Sequence, residues 1–219
     1  MAGLTSSTIG RKYAMALSAM FLLIFLVMHL SVNLLSLFSG DLFNEASHFM
    51  GSNPLVQFLM QPILLFAVIF HFVMGFVLEL KNNQARPVKY AANDGAANST
   101  WMSRNMVISG AVVLAFLALH LADFWVPTIS KNYFAGGHGE TDFEHLQEKF
   151  TQLWRVGFYI VCFVLLGLHL AHGFQSSFQS IGARHPKYTP VIKAFGKWYS
   201  ILIPAGFIFI AIFHYVTQL

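Results

Sequence analysis

Ten histidines occur in this chain of 219 residues, and six of them stand inside long apolar runs: His29, His71, His120, His169, His172 and His214. Ionisable groups in hydrocarbon are costly, so such residues face a bundle interior and take a partner there. An imidazole in that setting can bridge two helices by a hydrogen bond, relay a proton or bind a metal. Depth helps to separate these chemistries. At the rise of an α-helix, His29 lies about 24 Å along the first run and His120 about 24 Å beyond Arg104, which puts them at one level. His71 lies about 12 Å from Glu79, while His169 and His172 lie about 18 Å and 14 Å from Ile181, a second level nearer the opposite end. Two pairs at two depths, each from non-adjacent runs, match two stacked bis-histidine haems. A single zinc or copper ion would need all its ligands within about 2 Å of one point, which two depths forbid. Packing histidines and an ion or proton pathway are the other readings of the same residues.

A spacing distinguishes the two histidines of the fourth run. His71 is followed four residues later by Gly75, and His169 by Gly173. Position i+4 shares a helical face with i, and a missing side chain there lets a porphyrin approach the backbone. The repeat favours His169 over His172 as the ligand. Close helix packing is the alternative use of both glycines.

The elements that carry these residues are five apolar runs, at about 13–38, 54–78, 107–126, 156–178 and 199–216. Each reaches or approaches the roughly 20 residues that cross a hydrocarbon core. None alternates in character as a barrel strand would. With 56% hydrophobic and 10% charged residues, the composition excludes a soluble domain, a disordered chain and a disulfide scaffold. Cys162 is the lone cysteine and reads as core filler. The fold expected is an all-α membrane bundle of five spans forming a single domain over 1–219, its first four helices enclosing the haem-binding core. The first run has no small-residue cleavage site after it, so it is expected to be retained.

Loop charge orients the bundle. Arg11, Lys12, Lys81, Arg86, Lys89, Arg104, Arg184, Lys187, Lys193 and Lys197 fall on one side, and only Lys131, Lys149 and Arg155 on the other. The positive-inside rule puts the first set in the cytoplasm, with the N-terminus inside and the C-terminus outside. No basic stripe interleaved with aromatics points to nucleic acid. The connection from Pro127 to Leu153 is expected to hold a short amphipathic helix near Phe143–Phe150. His48, His138, His145 and His185 read as solvated loop residues.

The order of motifs resembles the cytochrome b membrane-anchor subunit of succinate dehydrogenase and fumarate reductase, respiratory complex II, in its five-helix, two-haem bacterial branch. The resemblance rests on Met28-His29-Leu-Ser-Val-Asn33, Phe43-Asn-Glu-Ala-Ser-His-Phe-Met50 with Pro54, Phe70-His71 with Gly75, Leu119-His120, and Gly157-Phe-Tyr-Ile-Val161 followed by His169 and Gly173. It covers nearly the whole chain. The resemblance implies two haems b: a distal one near the outer face held by His29 and His120, and a proximal one near the cytoplasm held by His71 and His169. It implies a multi-pass protein of a bacterial cytoplasmic membrane that passes electrons to a quinone, typically menaquinone, and leaves room for a higher oligomer of the complex. FAD and iron–sulfur clusters would belong to a flavoprotein and an iron–sulfur partner, since one cysteine cannot ligate a cluster.

The basic face, with Arg11, Lys12, Lys81, Arg86, Lys89, Lys187 and Lys193, is then the expected dock for the iron–sulfur subunit, where lipid phosphates would compete for the same charges. Arg155 is the expected partner of a haem propionate, with snorkelling to the interface as its alternative role. Asp123, Asn33 and His48 are the expected quinone-site residues, because a quinone reduced by two electrons needs polar groups near water. In some related fumarate reductases a glutamate two residues before the fourth-helix ligand serves a proton pathway; Gly167 stands at that position here. The competing readings are the haem b anchor of a hydrogenase or formate dehydrogenase, and a histidine-based transporter. The direction of turnover, succinate oxidation or fumarate reduction, is not set by the sequence.

Overall fold

The computed structural model describes residues 7–84, 101–134 and 139–219. Among them, five helices are long and apolar enough to cross a membrane. These spans are α1 (Thr8–Leu37), α3 (Val56–Gln84), α4 (Met106–Tyr133), α6 (Leu153–Ser180) and α7 (Thr189–Val216). Two shorter helices, α2 (Gly40–Ser52) and α5 (Asp142–Lys149), lie in the connections after α1 and α4. Arg86, Lys89 and His138 lie outside the described residues.

Local chemistry sets the ends. Ser7 caps α1 by accepting from the Gly10 amide at 2.9 Å, and Ser39 caps α2 by accepting from Leu42 at 3.3 Å. Thr141 and Glu144 form a reciprocal capping box at the start of α5. The Thr141 amide and hydroxyl hold the Glu144 carboxyl below its usual range. α5 is the amphipathic helix expected in the connection between the third and fourth spans. α2 was not anticipated as a helix, and His48 therefore stands exposed on a helix instead of in a loop. α7 starts ten residues before the expected position, so Lys193 and Lys197 are helical and not in a loop. Pro190 in its first turn is preorganised for a helix start, and the following polar residues lengthen the helix without lengthening its apolar stretch.

Neighbours around the bundle run α1 to α3, α3 to α4, α4 to α6 and α6 back to α1, while α7 packs outside against α6 and α1. The four first spans thus form a square whose diagonals are α1/α4 and α3/α6. Packing is uneven around that square. The buried core is built from α6 and α7, with Tyr159, Phe163, Leu166, Leu170, Phe174, Ile203 and Phe207, and α4 adds Phe116. From α3, Gln57 and Ala67 are buried. Outward apolar side chains such as Leu17, Phe66 and Leu202 are exposed, as lipid-facing residues must be. The protein is a multi-pass membrane protein.

The contact of α6 with α7 depends on small residues. A β-carbon at Gly167 would stand 3.0 Å from the Ser200 carbonyl oxygen and 3.4 Å from Pro204 Cγ. Backbone cannot step aside, and small residues at such crossings let membrane helices approach. The same contact shows that position 167 faces α7, where a glutamate side chain has no room. Gly157, by contrast, has no atom within 4 Å of a β-carbon placed there. Gly167→Val is expected to lower stability by about 1–3 kcal/mol through overpacking, and Gly157→Val to stay within about 0.5 kcal/mol of the parent. Thermal unfolding of both variants in the same detergent checks the contrast.

Candidate functional site

The diagonals of the square carry the histidines. Across α1/α4, the rings of His29 and His120 lie 5.7 Å apart, centre to centre, at an interplanar angle of 81°. Across α3/α6, His71 and His169 lie 6.4 Å apart at 69°. A metal–imidazole bond is about 2 Å long, so two rings on one metal stand with centres about 6 Å apart. Both pairs fit that span, and the neutral nitrogen donors are those an iron porphyrin takes axially. His172 takes no part in either ring pair.

Each level has its own surroundings. Phe25 stacks on His29 at 5.3 Å and Phe116 on His120 at 5.6 Å, one turn before each histidine. His120 Nδ1 is buried without a hydrogen-bond partner, and His29 Nδ1 lies 3.4 Å from the Asn33 amide nitrogen. At the other level, Ser18 on α1 lies 3.2 Å from His71 Nδ1, and Ser109 on α4 lies 3.2 Å from His169 Nδ1. Gly75 and Gly173 face the tips of Met15 and Met106, at 3.7 and 3.4 Å from a notional β-carbon. Methionine tips are flexible, so neither glycine is walled in by backbone.

These contacts repeat. Met15, Ser18, Phe25 and His29 on α1 recur as Met106, Ser109, Phe116 and His120 on α4, at identical spacings. His71 and Gly75 on α3 recur as His169 and Gly173 on α6. Two helical hairpins therefore present the same set of groups to a shared centre. Sequence reading found the histidine–glycine half of this repeat. It missed the serines, whose signal was present as a serine eleven residues before each of His29 and His120.

The three expected quinone-site residues are not brought together by any described contact. Asn33 donates to its own helix, to the His29 carbonyl at 2.8 Å. His48 is exposed on α2 and contacts Ser52. Asp123 is buried at 5% exposure and already partnered, which differs from the expected water-facing acid. The Tyr159 hydroxyl donates to its carboxylate at 2.9 Å, and Arg155 Nε stands 3.3 Å from the same oxygen. Arg155, expected to meet a propionate, thus spends its charge on Asp123, with its guanidinium 4.9 Å over the Trp154 ring. Asp123 stands within a π-turn over Leu121–Trp125. Its i→i+5 bonding adds a residue to the turn, and the Tyr159 that donates to Asp123 also packs 6.3 Å from the His120 ring.

A cap closes that end of the bundle. His145 on α5 hydrogen-bonds the Asp123 carbonyl through Nε2 at 2.7 Å and meets Glu140 through Nδ1 at 2.5 Å. Asp142 accepts from both Ser47 of α2 and Lys131 of α4, and the Phe143 amide donates to Asn44 at 2.8 Å. At the far end of α7, buried His214 meets Ser36 of α1 at 2.9 Å, which makes it a helix-packing histidine.

The chain is similar to the succinate dehydrogenase cytochrome b558 subunit of Bacillus subtilis, with 28% identity over 154 residues, covering 70% of this chain and 69% of that protein. This bears out the resemblance read from the motif order. No family model matches the chain, and no solved structure matches it significantly.

Because Asp123 and Arg155 sit in low-dielectric surroundings, removing one partner strands the other. Asp123→Ala alone is expected to cost about 3–5 kcal/mol, and Asp123→Ala with Arg155→Leu markedly less. A double-mutant cycle on thermal stability measures the coupling; additive losses would show that the pair does not interact.

Proposed function

We propose that this protein is the dihaem cytochrome b anchor of a succinate:menaquinone oxidoreductase or fumarate reductase. The observation that carries the reading is the pair of histidine diagonals, two ring pairs at iron-spanning separation in one apolar bundle. The similarity to a succinate dehydrogenase cytochrome subunit supports the assignment to complex II over a hydrogenase or formate dehydrogenase anchor. A transporter reading gives no reason for four histidines to meet as two ring pairs at iron-spanning separation.

In this reading His29 and His120 hold one haem b and His71 and His169 the other, with two haems acting as one-electron carriers at two levels of the membrane. The residues of the chain do the rest. The basic end, with Arg11, Lys12, Lys81, Lys187 and Lys193, faces the cytoplasm and docks the iron–sulfur subunit, which carries the flavoprotein with it. The opposite end faces outward in a bacterial cytoplasmic membrane. There Tyr159 and Arg155 hold the Asp123 carboxylate, and α2 and α5 keep that end covered. The quinone site belongs at this end, with Asp123 acting from behind the surface while Asn33 and His48 supply polar groups nearer to it.

Turnover that takes electrons from an inner dicarboxylate site to an outer quinone moves charge across the membrane. Each charge is coupled to the potential by about 2.3 kcal/mol per 100 mV. Gly167 has no titratable group and packs against α7, so the residue at that position offers no proton carrier. The absence of a proton-carrying side chain at position 167 supports electrogenic turnover.

Two measurements test this. Haem per chain, assayed by the pyridine haemochrome spectrum, is expected to fall from two to one in His29→Ala, His71→Ala, His120→Ala and His169→Ala, and to stay at two in His172→Ala. Retention of both haems in any of the first four contradicts the ligand set. In sealed vesicles containing the intact complex, succinate:menaquinone activity is expected to change when an uncoupler collapses the potential. An unchanged rate places the quinone on the inner side or requires a proton path elsewhere.

A further inference from the structure

Ser18 and Ser109 are the two hydroxyls that approach histidines on the α3/α6 diagonal, and each has a second partner. Ser18 Oγ donates to the Met15 carbonyl of its own helix at 2.8 Å, and Ser109 Oγ to the Met106 carbonyl at 2.9 Å. A hydroxyl carries one hydrogen and two acceptor lone pairs. The carbonyl oxygen is acceptor only and is the nearer partner, so that hydrogen is spent on it. What each serine then offers at 3.2 Å to the imidazole Nδ1 is a lone pair. A lone pair facing Nδ1 requires an N–H there. In a neutral imidazole the remaining nitrogen, Nε2, is then bare and able to bind a metal.

The arrangement is reciprocal between hairpins. α1 supplies a ring to its own diagonal through His29 and a hydroxyl to the other diagonal through Ser18; α4 does the same with His120 and Ser109. The serine precedes the histidine by eleven residues in both helices, a rise of about 16 Å. The same helix therefore serves two levels. No such device is present among the described residues of the His29/His120 pair, where one Nδ1 faces an amide nitrogen and the other has no partner.

We infer that Ser18 and Ser109 are positioning residues for the haem held by His71 and His169: each accepts the Nδ1–H of the histidine on the following membrane span, fixing Nε2 as the ligand nitrogen and setting the plane of the ring. The inference rests on the dihaem reading above. Outer partners of this kind make a ligating imidazole a stronger donor, which stabilises the oxidised metal. Losing the acceptor should weaken that donation and raise the midpoint potential of this one haem.

The test uses the intact complex from native membranes, with Ser18→Ala, Ser109→Ala and the conservative Ser18→Thr and Ser109→Thr. Threonine in a helix can make the same bond to the i−3 or i−4 carbonyl and so keeps a lone pair for the ring. Haem stoichiometry, a potentiometric titration and the low-spin ferric EPR signals are read together. Two haems per chain are expected in the alanine variants, with one component titrating at higher potential and its EPR signal displaced, the other component unmoved, and threonine restoring the parent values. Loss of one haem in the alanine variants that threonine reverses supports the same role. Both potentials and both signals unchanged in both alanine variants, or a shift confined to the His29/His120 haem, overturns the inference. Loss of haem in the threonine variants as well as the alanine ones assigns the positions to packing and overturns it too. An unsubstituted complex lacking two bis-histidine haems overturns the functional reading itself, and is seen before any variant is made.

Discussion

The structure depends on the cost of keeping imidazole out of water. Four histidines inside an apolar bundle cannot be left to lipid, so their helices must turn them inward, and a square of four helices offers two inward directions. The diagonals α1/α4 and α3/α6 use one each, which is why the rings meet in two pairs and at two depths. Much of the remaining architecture follows from protecting that arrangement. The fifth span, α7, lies outside the square and packs closely on α6 through Gly167 and Gly196, setting its Tyr199 and Phe207 against Phe174 and Phe163 of α6. It braces one side of the bundle without occupying the centre.

The two ends of the bundle solve different problems. At the end opposite the basic face, α2, α4 and α5 are tied together through Asp142, Asn44 and His145. The buried ion pair of Asp123 with Arg155 is costly to desolvate and is offset by the Tyr159 hydrogen bond and the Trp154 face. Such a group specifies geometry more than it adds stability. Its Asp123 lies within the π-turn just beyond His120, at the outer end of the first diagonal. At the basic end the polar groups are simpler: the Tyr13 hydroxyl reaches the Ile181 carbonyl at 3.0 Å, holding the start of α1 to the end of α6.

Much of this was legible in the residues. Five apolar runs gave five spans, because hydrocarbon thickness leaves little freedom in length, and helical rise alone put His29 level with His120. The histidine–glycine spacing separated His169 from His172, and in the fold it is His169 that faces His71. Other features were hidden for physical reasons. α2 is short and of mixed polarity, so nothing in its periodicity competes with a loop. The first turns of α7 are amphipathic, with Lys193 and Lys197 on a helix that a hydropathy run does not count. The burial of Asp123 could not be read locally, because its partners Tyr159 and Arg155 are more than thirty residues away. Ser18 and Ser109 read as ordinary packing residues until the fold set each beside a ring from the next helix.

The central claim is that the two diagonals are two bis-histidine haem sites in one chain. Low-temperature EPR of the oxidised protein, with near-infrared magnetic circular dichroism, tests it most directly, since together they report spin state and axial ligand type for each haem. Two distinct low-spin ferric species, both bis-imidazole and in equal amounts, are the predicted result. A single species, a high-spin haem or a ligand other than histidine at either level would contradict the account.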